Sequence, residues 1–136
     1  MSNTRFATAI HIMTLLARDP QEWLTSDWIA GSINVNPVIV RKELGHLKKA
    51  ALVESRQGKD GGVRISKKAE DISVAEIYEA IKSAEILGKK NQNPNPLCAV
   101  GKDINKNLNL LFSETDSLVQ QFLSKKKLSD FTNQFH

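Results

Sequence analysis

The feature that most constrains the fold is the order of structural signals in residues 4–65, where three helical segments are followed by a β-hairpin. Apolar residues in 4–18 recur at steps of three and four, which predicts a helix. Asp19 ends this helix, because a residue before proline avoids the helical region. Thr25 or Ser26 can cap a short second helix. The inward residues predicted for it are Trp28, Ile29 and Ile33.

A third helix is predicted from residue 37 to about residue 50. Asn36 is a capping residue, and Pro37 at the first helical position loses no needed hydrogen bond. The buried stripe predicted for this helix is Val40, Leu44, Leu47 and Ala51. A different, largely polar stripe consists of Val38, Arg41, Lys42, Gly45 and Lys49. The third helix therefore has one face for a core and another for a partner.

Beyond the third helix, the sequence predicts a hairpin and then more helix. Residues 56–65 hold two extended pieces around a glycine-rich turn. Ser73 and Glu76 form a capping box for a fourth helix, and the proline-punctuated residues 88–96 predict a loop. Ser129 can cap a short final turn.

The last third of the chain predicts one long helix, because no glycine or proline follows Gly101. A helix of about 25 residues spans about 37 Å, more than a small winged domain can cover. Its apolar seam therefore predicts dimerisation through a second copy, with a fold-back onto the first helix as the alternative. The predicted dimerisation residues are Ile104, Leu108, Leu111, Leu118 and Phe122.

Together these signals predict a mainly α (α+β) fold, a winged helix-turn-helix with a long C-terminal dimerisation helix. The predicted division is a DNA-binding domain over 1–84, a loop over 85–97, and the dimerisation helix and tail over 98–136. The formal net charge of +4 says little by itself, but residues 36–68 carry nine basic and three acidic residues and so a net +6, which leaves −2 for the rest. A solvated lysine-rich face is one explanation, and a phosphate-contacting surface is the other.

On the second explanation, the third helix enters the major groove of DNA and the wing at 56–65 reaches the adjacent backbone or minor groove. Arg41 can donate two hydrogen bonds to a guanine edge. The predicted DNA-binding residues are Ser26, Asn36, Pro37, Val38, Arg41, Lys42, His46, Lys49, Lys59, Arg64 and Lys67. The alternative function is a winged-helix module for protein interaction or RNA binding.

Several segments in order resemble the Rrf2 regulators, and within that family the members without an iron–sulfur cluster. The segments are Asn36–Lys42, Leu47–Val53, the wing glycines at 58–62, Ile72–Ile81, Asn93–Gly101 and Leu128–Phe131. The resemblance implies a bacterial transcription regulator, usually a repressor, that binds a palindromic operator as a homodimer paired through its long helix.

The chain departs from the family pattern at a few positions. Ala51 stands where the family usually has glycine after the third helix, which predicts that a cap with positive φ is not essential here. Glu43 occupies a position that is commonly apolar in the family. Three environments are possible for its carboxylate: a pair with Lys42, a pair near Lys49, or solvent.

The single cysteine excludes an internal disulfide, and it makes an iron–sulfur cluster unexpected because a [2Fe–2S] cluster normally takes four protein ligands. Neither a metal site nor a cofactor is therefore predicted. Cys98 near a helix start is a candidate redox sensor, because the helix dipole lowers the pKa of a thiol. The alternative is a buried structural cysteine.

Other function classes receive no support from the sequence. There is no HExxH motif, no phosphate loop and no cysteine–histidine pairing, so an enzyme is not expected. No run approaches the roughly 20 apolar residues of a membrane span, and the N-terminus lacks a secretory signal. We therefore expect a cytoplasmic protein without a membrane partner, whose partners are double-stranded DNA and a second copy of itself.

Overall fold

The computed structural model describes residues 3–82 and 86–135, and its elements follow the predicted order of three helices, a hairpin and further helices. The predicted boundary between residues 84 and 85 lies outside the described residues. A 3₁₀ turn at Ala69–Asp71 precedes the fourth α-helix. The elements are α1 (Arg5–Arg18), α2 (Ser26–Ile33), α3 (Pro37–Lys49), β1 (Val53–Arg56), β2 (Gly62–Ile65), α4 (Val74–Ile81), α5 (Ala99–Ser124) and α6 (Leu128–Thr132).

Side-chain caps begin three of the helices where local chemistry favours them. Thr25, and not Ser26, caps α2 by accepting a hydrogen bond from the Trp28 N–H at 3.1 Å. Asn36 caps α3 through the Val38 N–H at 2.9 Å, and Ser73 does the same for α4. At α6 the capping position is Lys127 rather than the predicted Ser129.

The core lies where α1, α2, α3, α4 and α6 converge. Each helix contributes fully buried apolar side chains, which are the main stabilising term of a domain of this size. Trp28 is 54% exposed, so its predicted inward orientation is wrong. The short α2 has room on its buried face for Ile29 and Ala30, and Trp28 precedes them on the outer side. The fully buried aliphatic side chains include Ile12, Leu16, Ile29, Leu47, Ile77 and Leu128.

The end of α3 is a Schellman motif with alanine in the left-handed position. Ala51 has φ +61°, its N–H donates to the Lys48 carbonyl, and the Leu52 N–H donates to the Leu47 carbonyl at 3.0 Å. The predictions that Ala51 is buried and that no positive-φ cap is needed are therefore both wrong. Leu47 and Leu52 are both buried, so packing at either end of the turn imposes the left-handed backbone.

The hairpin forms the predicted wing, and the strand before its turn begins at residue 53. β1 and β2 pair antiparallel with Val53 opposite Ile65. Leu24, in the loop before α2, exchanges two backbone hydrogen bonds of 2.8 Å with Val63 and so extends the wing by one isolated β-bridge. Gly62 has φ +150°, and a Cβ there would lie 2.5 Å from the Leu24 carbonyl oxygen, so this crossing requires glycine.

The long helix α5 extends away from the core, and α6, which follows it, packs back against α1. The 26 residues of α5 span about 39 Å at 1.5 Å per residue, and the helix packs mainly against α4. Gln120 donates to Glu79 of α4 at 2.6 Å, while Lys82 pairs with Asp116 at 3.7 Å. The predicted alternative of a fold-back onto α1 is realised by α6 rather than by α5. Within the described ranges, no helix is long and apolar enough to cross a membrane.

Candidate nucleic-acid interface

One side of α3 is free of the core and carries four of the predicted DNA contacts, Val38, Arg41, Lys42 and Lys49. The opposite side is fixed by burial of Val40, Leu44 and Leu47, so the helix cannot rotate to hide its polar side. We call the exposed side the α3 face. It consists of the exposed residues Val38, Ile39, Arg41, Lys42 and Lys49.

Arg41, the predicted base reader, is held loosely by α2. Its guanidinium lies 3.6 Å from the carboxylate of Asp27, and both side chains are more than half exposed. An exposed ion pair of this kind contributes about 0–1 kcal/mol, so DNA can displace it at little cost. Ser26 is half-buried beside Asp27 in the first turn of α2.

Three predicted contacts at the two ends of α3 have structural roles or partial burial. The Asn36 side-chain oxygen is used by the helix cap, so only its amide remains to donate. Pro37 is half-buried at the first helical position. His46 is half-buried in the last turn, next to the face that carries Lys42 and Lys49.

The two predicted cations of the wing differ, because its lysine is exposed and its arginine is paired within the hairpin. Lys59 is exposed in the turn. Arg64, by contrast, donates to Glu54 across the hairpin at 2.6 Å and stacks on Trp23 with 4.3 Å from its guanidinium carbon to the ring centroid. The structure therefore places the Arg64 charge against its own strand partner.

Trp23 and Arg56 were absent from the predicted set, although both organise the wing. Arg56 stacks on the Trp23 ring at 4.5 Å, so the ring contacts two arginine side chains, Arg56 and Arg64. Arg56 also donates to the Asp60 carbonyl at 2.6 Å, which braces the turn that carries Lys59. We call these three stacked residues, Arg56, Trp23 and Arg64, the Trp23 clamp. No local pattern signals it, because Trp23 and Arg56 are far apart in sequence.

Lys67 lies after the wing and is engaged elsewhere. Its ammonium is 3.3 Å from the Glu76 carboxylate of α4, with both side chains a little over 40% exposed. It is thus a surface cation with a partner in its own chain. A phosphate contact by Lys67 would require that this exposed pair opens, which costs about 0–1 kcal/mol.

The predicted dimerisation residues form one stripe along α5, which we call the α5 seam: Ile104, Leu108, Leu111, Leu118 and Phe122. Leu111, Leu118 and Phe122 are 51%, 68% and 60% exposed, and Ile104 and Leu108 are half-buried. Phe112, whose ring has the Lys90 ammonium 5.5 Å from its centroid, is the one buried α5 residue in the described part. The seam is thus an apolar surface that the described residues of the chain leave largely exposed at Leu111, Leu118 and Phe122.

Cys98 is exposed at the N-cap of α5, so the alternative of a buried structural cysteine is wrong. Its thiol makes no capping hydrogen bond of standard geometry. The backbone N–H groups of Gly101 and Val100 nevertheless face it and lower the pKa of the Cys98 thiol. The structure thus places a thiolate-prone sulfur in solvent.

Comparison with known proteins identifies the group to which this architecture belongs. A family model described as "Rrf2: Iron-dependent Transcriptional regulator" matches residues 2–134. YwnA of Bacillus subtilis (strain 168), named as a candidate HTH-type transcriptional regulator, is 41% identical over 133 residues, and the match covers 98% of each chain.

Solved structures agree with this result. The crystal structure of a candidate DNA-binding protein is 35% identical with a TM-score of 0.74, and the match covers 93% of this chain and 97% of that one. CymR (YrzC), the global cysteine regulator of B. subtilis, has a TM-score of 0.72 over 100% of this chain and 98% of its own. At 18% identity CymR supports the fold alone.

These matches confirm the predicted winged-helix fold, the predicted resemblance and the predicted non-enzymatic role, since the family is one of regulators. They assign no role to an individual residue. The family model spans nearly the whole chain, and a relative at 41% identity does the same. The chain therefore belongs to the Rrf2 family of transcriptional regulators.

Proposed function

We propose that this protein is a dimeric, sequence-specific DNA-binding repressor that reads a palindromic operator. The observation that carries the proposal is the α3 face, an exposed surface with Arg41, Lys42 and Lys49 on a helix whose other side is locked into the core. A helix of this kind fits the major groove, and its cations suit base edges and phosphates. Repression is the usual role that the family resemblance implies.

Within this proposal the wing residue Lys59 contacts the backbone or minor groove beside the α3 face. Arg41 leaves Asp27 and donates to a guanine. Lys42 and Lys49 contact phosphates, with Ser26, Asn36, Pro37, Val38 and His46 at the edge of the interface. Arg64 supports the wing from within the Trp23 clamp, and Lys67 contacts a phosphate after it leaves Glu76.

Dimerisation through the α5 seam is part of the proposal. Exposed apolar side chains repeated along a helix need a partner surface, and a second copy offers an identical seam across a twofold axis. Two copies of the α3 face then read two half-sites, which is why the operator is expected to be palindromic.

Iron does not enter the proposed function. The family description names iron, but this chain has one cysteine, and its described residues contain no group of three or more His, Cys, Asp or Glu side chains that could hold a metal ion. A cluster needs about four protein ligands. The donor set of this chain does not fit one.

Selection of bound DNA from a random pool with the purified protein tests sequence-specific binding. We expect enrichment of a palindrome with a defined half-site spacing. Absence of enrichment, or equal competition by RNA, would instead favour the module for protein interaction or RNA binding. Steep weakening of binding with salt is expected as well, because several phosphates are contacted.

Substitutions separate reading from phosphate contact. Arg41→Ala should weaken binding to the selected site by about 1–3 kcal/mol and relax specificity, with little effect on random DNA. Lys59→Ala should weaken both about equally and reduce the salt slope. Lys106→Ala, an exposed lysine on α5, is the matched control and should change neither. Equal loss for Arg41→Ala on both DNAs would remove Arg41 as a reader.

The oligomeric state is tested separately at the α5 seam. Leu118→Glu and Phe122→Glu place charges on exposed positions, so the helical content should be retained while the mass from light scattering falls to that of a monomer. Gln121→Glu, exposed beside the seam, is the control and should stay dimeric. A persistent dimer in both seam variants would contradict this interface.

A further inference from the structure

A cavity of about 450 Å³ lies between α1, α2 and α6, away from every residue of the proposed DNA and dimer surfaces. Its volume is in the range of small-molecule sites. One side is a stripe of α1 that includes Ala7, His11 and Leu15. The opposite side is Phe131 of α6 together with Phe135, which follows that helix. The proposed functions leave this cavity unused.

The apolar part of the cavity suits a flat ring. The Phe131 and Phe135 rings lie 5.7 Å apart between centroids with their planes tilted by 50°, and Leu15 faces them from α1. Aromatic rings prefer offset or tilted neighbours at such separations, so a further ring can pack here. Phe135 is half exposed, which leaves the cavity open to entry from solvent.

The polar part of the cavity suits an anion. Arg18 lines it from the last turn of α1, and within residues 3–82 and 86–135 its guanidinium has neither an ion pair nor a hydrogen bond. His11 Nε2 and Ser32 Oγ, 3.0 Å apart, are the second polar group of the lining. Among the residues that the structure describes, no acidic side chain lines the cavity, so its charge is complementary to a carboxylate.

We propose that this cavity binds a small aromatic carboxylate, with the ring between Leu15 and the two phenylalanines and the carboxylate on Arg18. The cavity is connected through α2 to α3, the helix proposed to read DNA. Ser32 belongs to α2, and α2 carries Asp27, the ion-pair partner of Arg41. A ligand that takes the His11 or Ser32 hydrogen bond therefore shifts α2, and this coupling rests on the proposed DNA-binding function.

Calorimetric titration of the full chain without DNA tests ligand binding by itself. The probes are benzoate, phenylacetate and 3-phenylpropionate, each compared with its neutral amide. We expect saturable binding of at least one acid, at least about tenfold tighter than its amide, because a charge-assisted contact to Arg18 is lost. No saturation by any acid up to about 10 mM, or equal affinity of acid and amide, overturns the proposal.

Variants locate the site. Arg18→Gln should abolish the preference for the acid, whereas Lys106→Gln, which removes a cation on α5, should leave it intact. Ala7→Phe fills the cavity from an exposed position and should abolish binding without loss of thermal stability. Binding that survives in Ala7→Phe places the ligand elsewhere and overturns the site, and a change of oligomeric state in Ala7→Phe makes the cavity an interface between copies.

Coupling is read afterwards with DNA selected from the random pool. A saturating acid should change the affinity for that DNA at least about threefold in the wild type and less in Ser32→Ala. If an acid binds without changing the affinity for DNA, the proposed coupling is wrong and the proposed binding site still stands. Failure to select DNA bears on the proposed function alone, since the titration contains no DNA.

Discussion

The carboxylate of Glu43, on the buried side of α3, is held by the guanidinium of Arg5 in α1. Arg5 Nε donates to Oε2 at 3.0 Å and Nη2 donates to Oε1 at 3.1 Å, with Glu43 2% exposed. None of the three environments considered from the sequence is correct, since neither Lys42, Lys49 nor solvent receives Glu43. The pair fixes α3 against α1 at the helical turn that carries Arg41 and Lys42 of the α3 face.

Removal of Arg5 should therefore destabilise the protein strongly. Arg5→Met leaves a buried carboxylate without its cation, and we expect a loss of about 3–5 kcal/mol in the free energy of unfolding. The double variant Arg5→Met, Glu43→Leu should recover most of that loss, because no uncompensated charge remains. Urea unfolding of the wild type, both single variants and the double variant gives the coupling energy. Additive effects would mean that the pair does not act as a unit.

Glycine at position 51 should stabilise the protein. Ala51 is held at φ +61°, where an L-residue pays about 1–2 kcal/mol and glycine does not. After allowance for the greater freedom of glycine in the unfolded chain, Ala51→Gly should add about 0.5–1 kcal/mol. The neighbouring Ala50 has φ −82°, so Ala50→Gly is the matched control and should lower stability. Thermal unfolding measures both, and a lower Tm for Ala51→Gly would refute the strained cap.

Loss of the Trp23 ring should loosen the wing. Trp23→Ala removes two cation–π contacts and should cost about 1–2 kcal/mol of stability. Amide exchange at Val63, which is hydrogen-bonded to Leu24, should accelerate because the wing loses its support. Trp28→Ala removes the second tryptophan from an exposed site. The free energy of unfolding should then change by no more than about 0.5 kcal/mol, and amide exchange at Val63 should stay the same. Equal effects of the two substitutions would deny the clamp its role.

Alkylation of Cys98 should persist to lower pH than that of an ordinary thiol. The amides of Gly101 and Val100 favour the thiolate and lower the pKa, so the reactive species remains as the pH falls below the usual cysteine range. The rate of reaction with iodoacetamide, measured against pH, should have its midpoint below that of the same chain unfolded in urea. Coincident midpoints would show that the helix start does not act on the sulfur.

Local signals predicted the helix starts well. Asn36 and Ser73 cap α3 and α4 by bonding to backbone groups two or three residues away, so their chemistry is complete within a short segment. The α3 face was predictable for a related reason, because the 3.6-residue period places Lys42 and Lys49 opposite Val40 and Leu47. The same period predicted the α5 seam.

Residues that act over long separations were not predictable. Arg5 and Glu43 are 38 positions apart, and Gln120 and Glu79 are 41 apart. Arg64 looked like one more cation of a basic segment, yet it donates to Glu54 and stacks on Trp23. Trp28 looked like a core residue because it is large and apolar, but α2 turns it outward.

The sequence by itself determined the order of elements, the family and the faces of α3 and α5, because caps and periodicity act within a few residues of the chain. Only the tertiary structure decided which charges are free. Arg41 is held by one exposed carboxylate, whereas Arg64 and Glu43 have close partners. Arg18 borders a cavity that α1 and α2 form with α6, which is distant from them in sequence. A charge is available or engaged according to what packs beside it, and that depends on the whole fold.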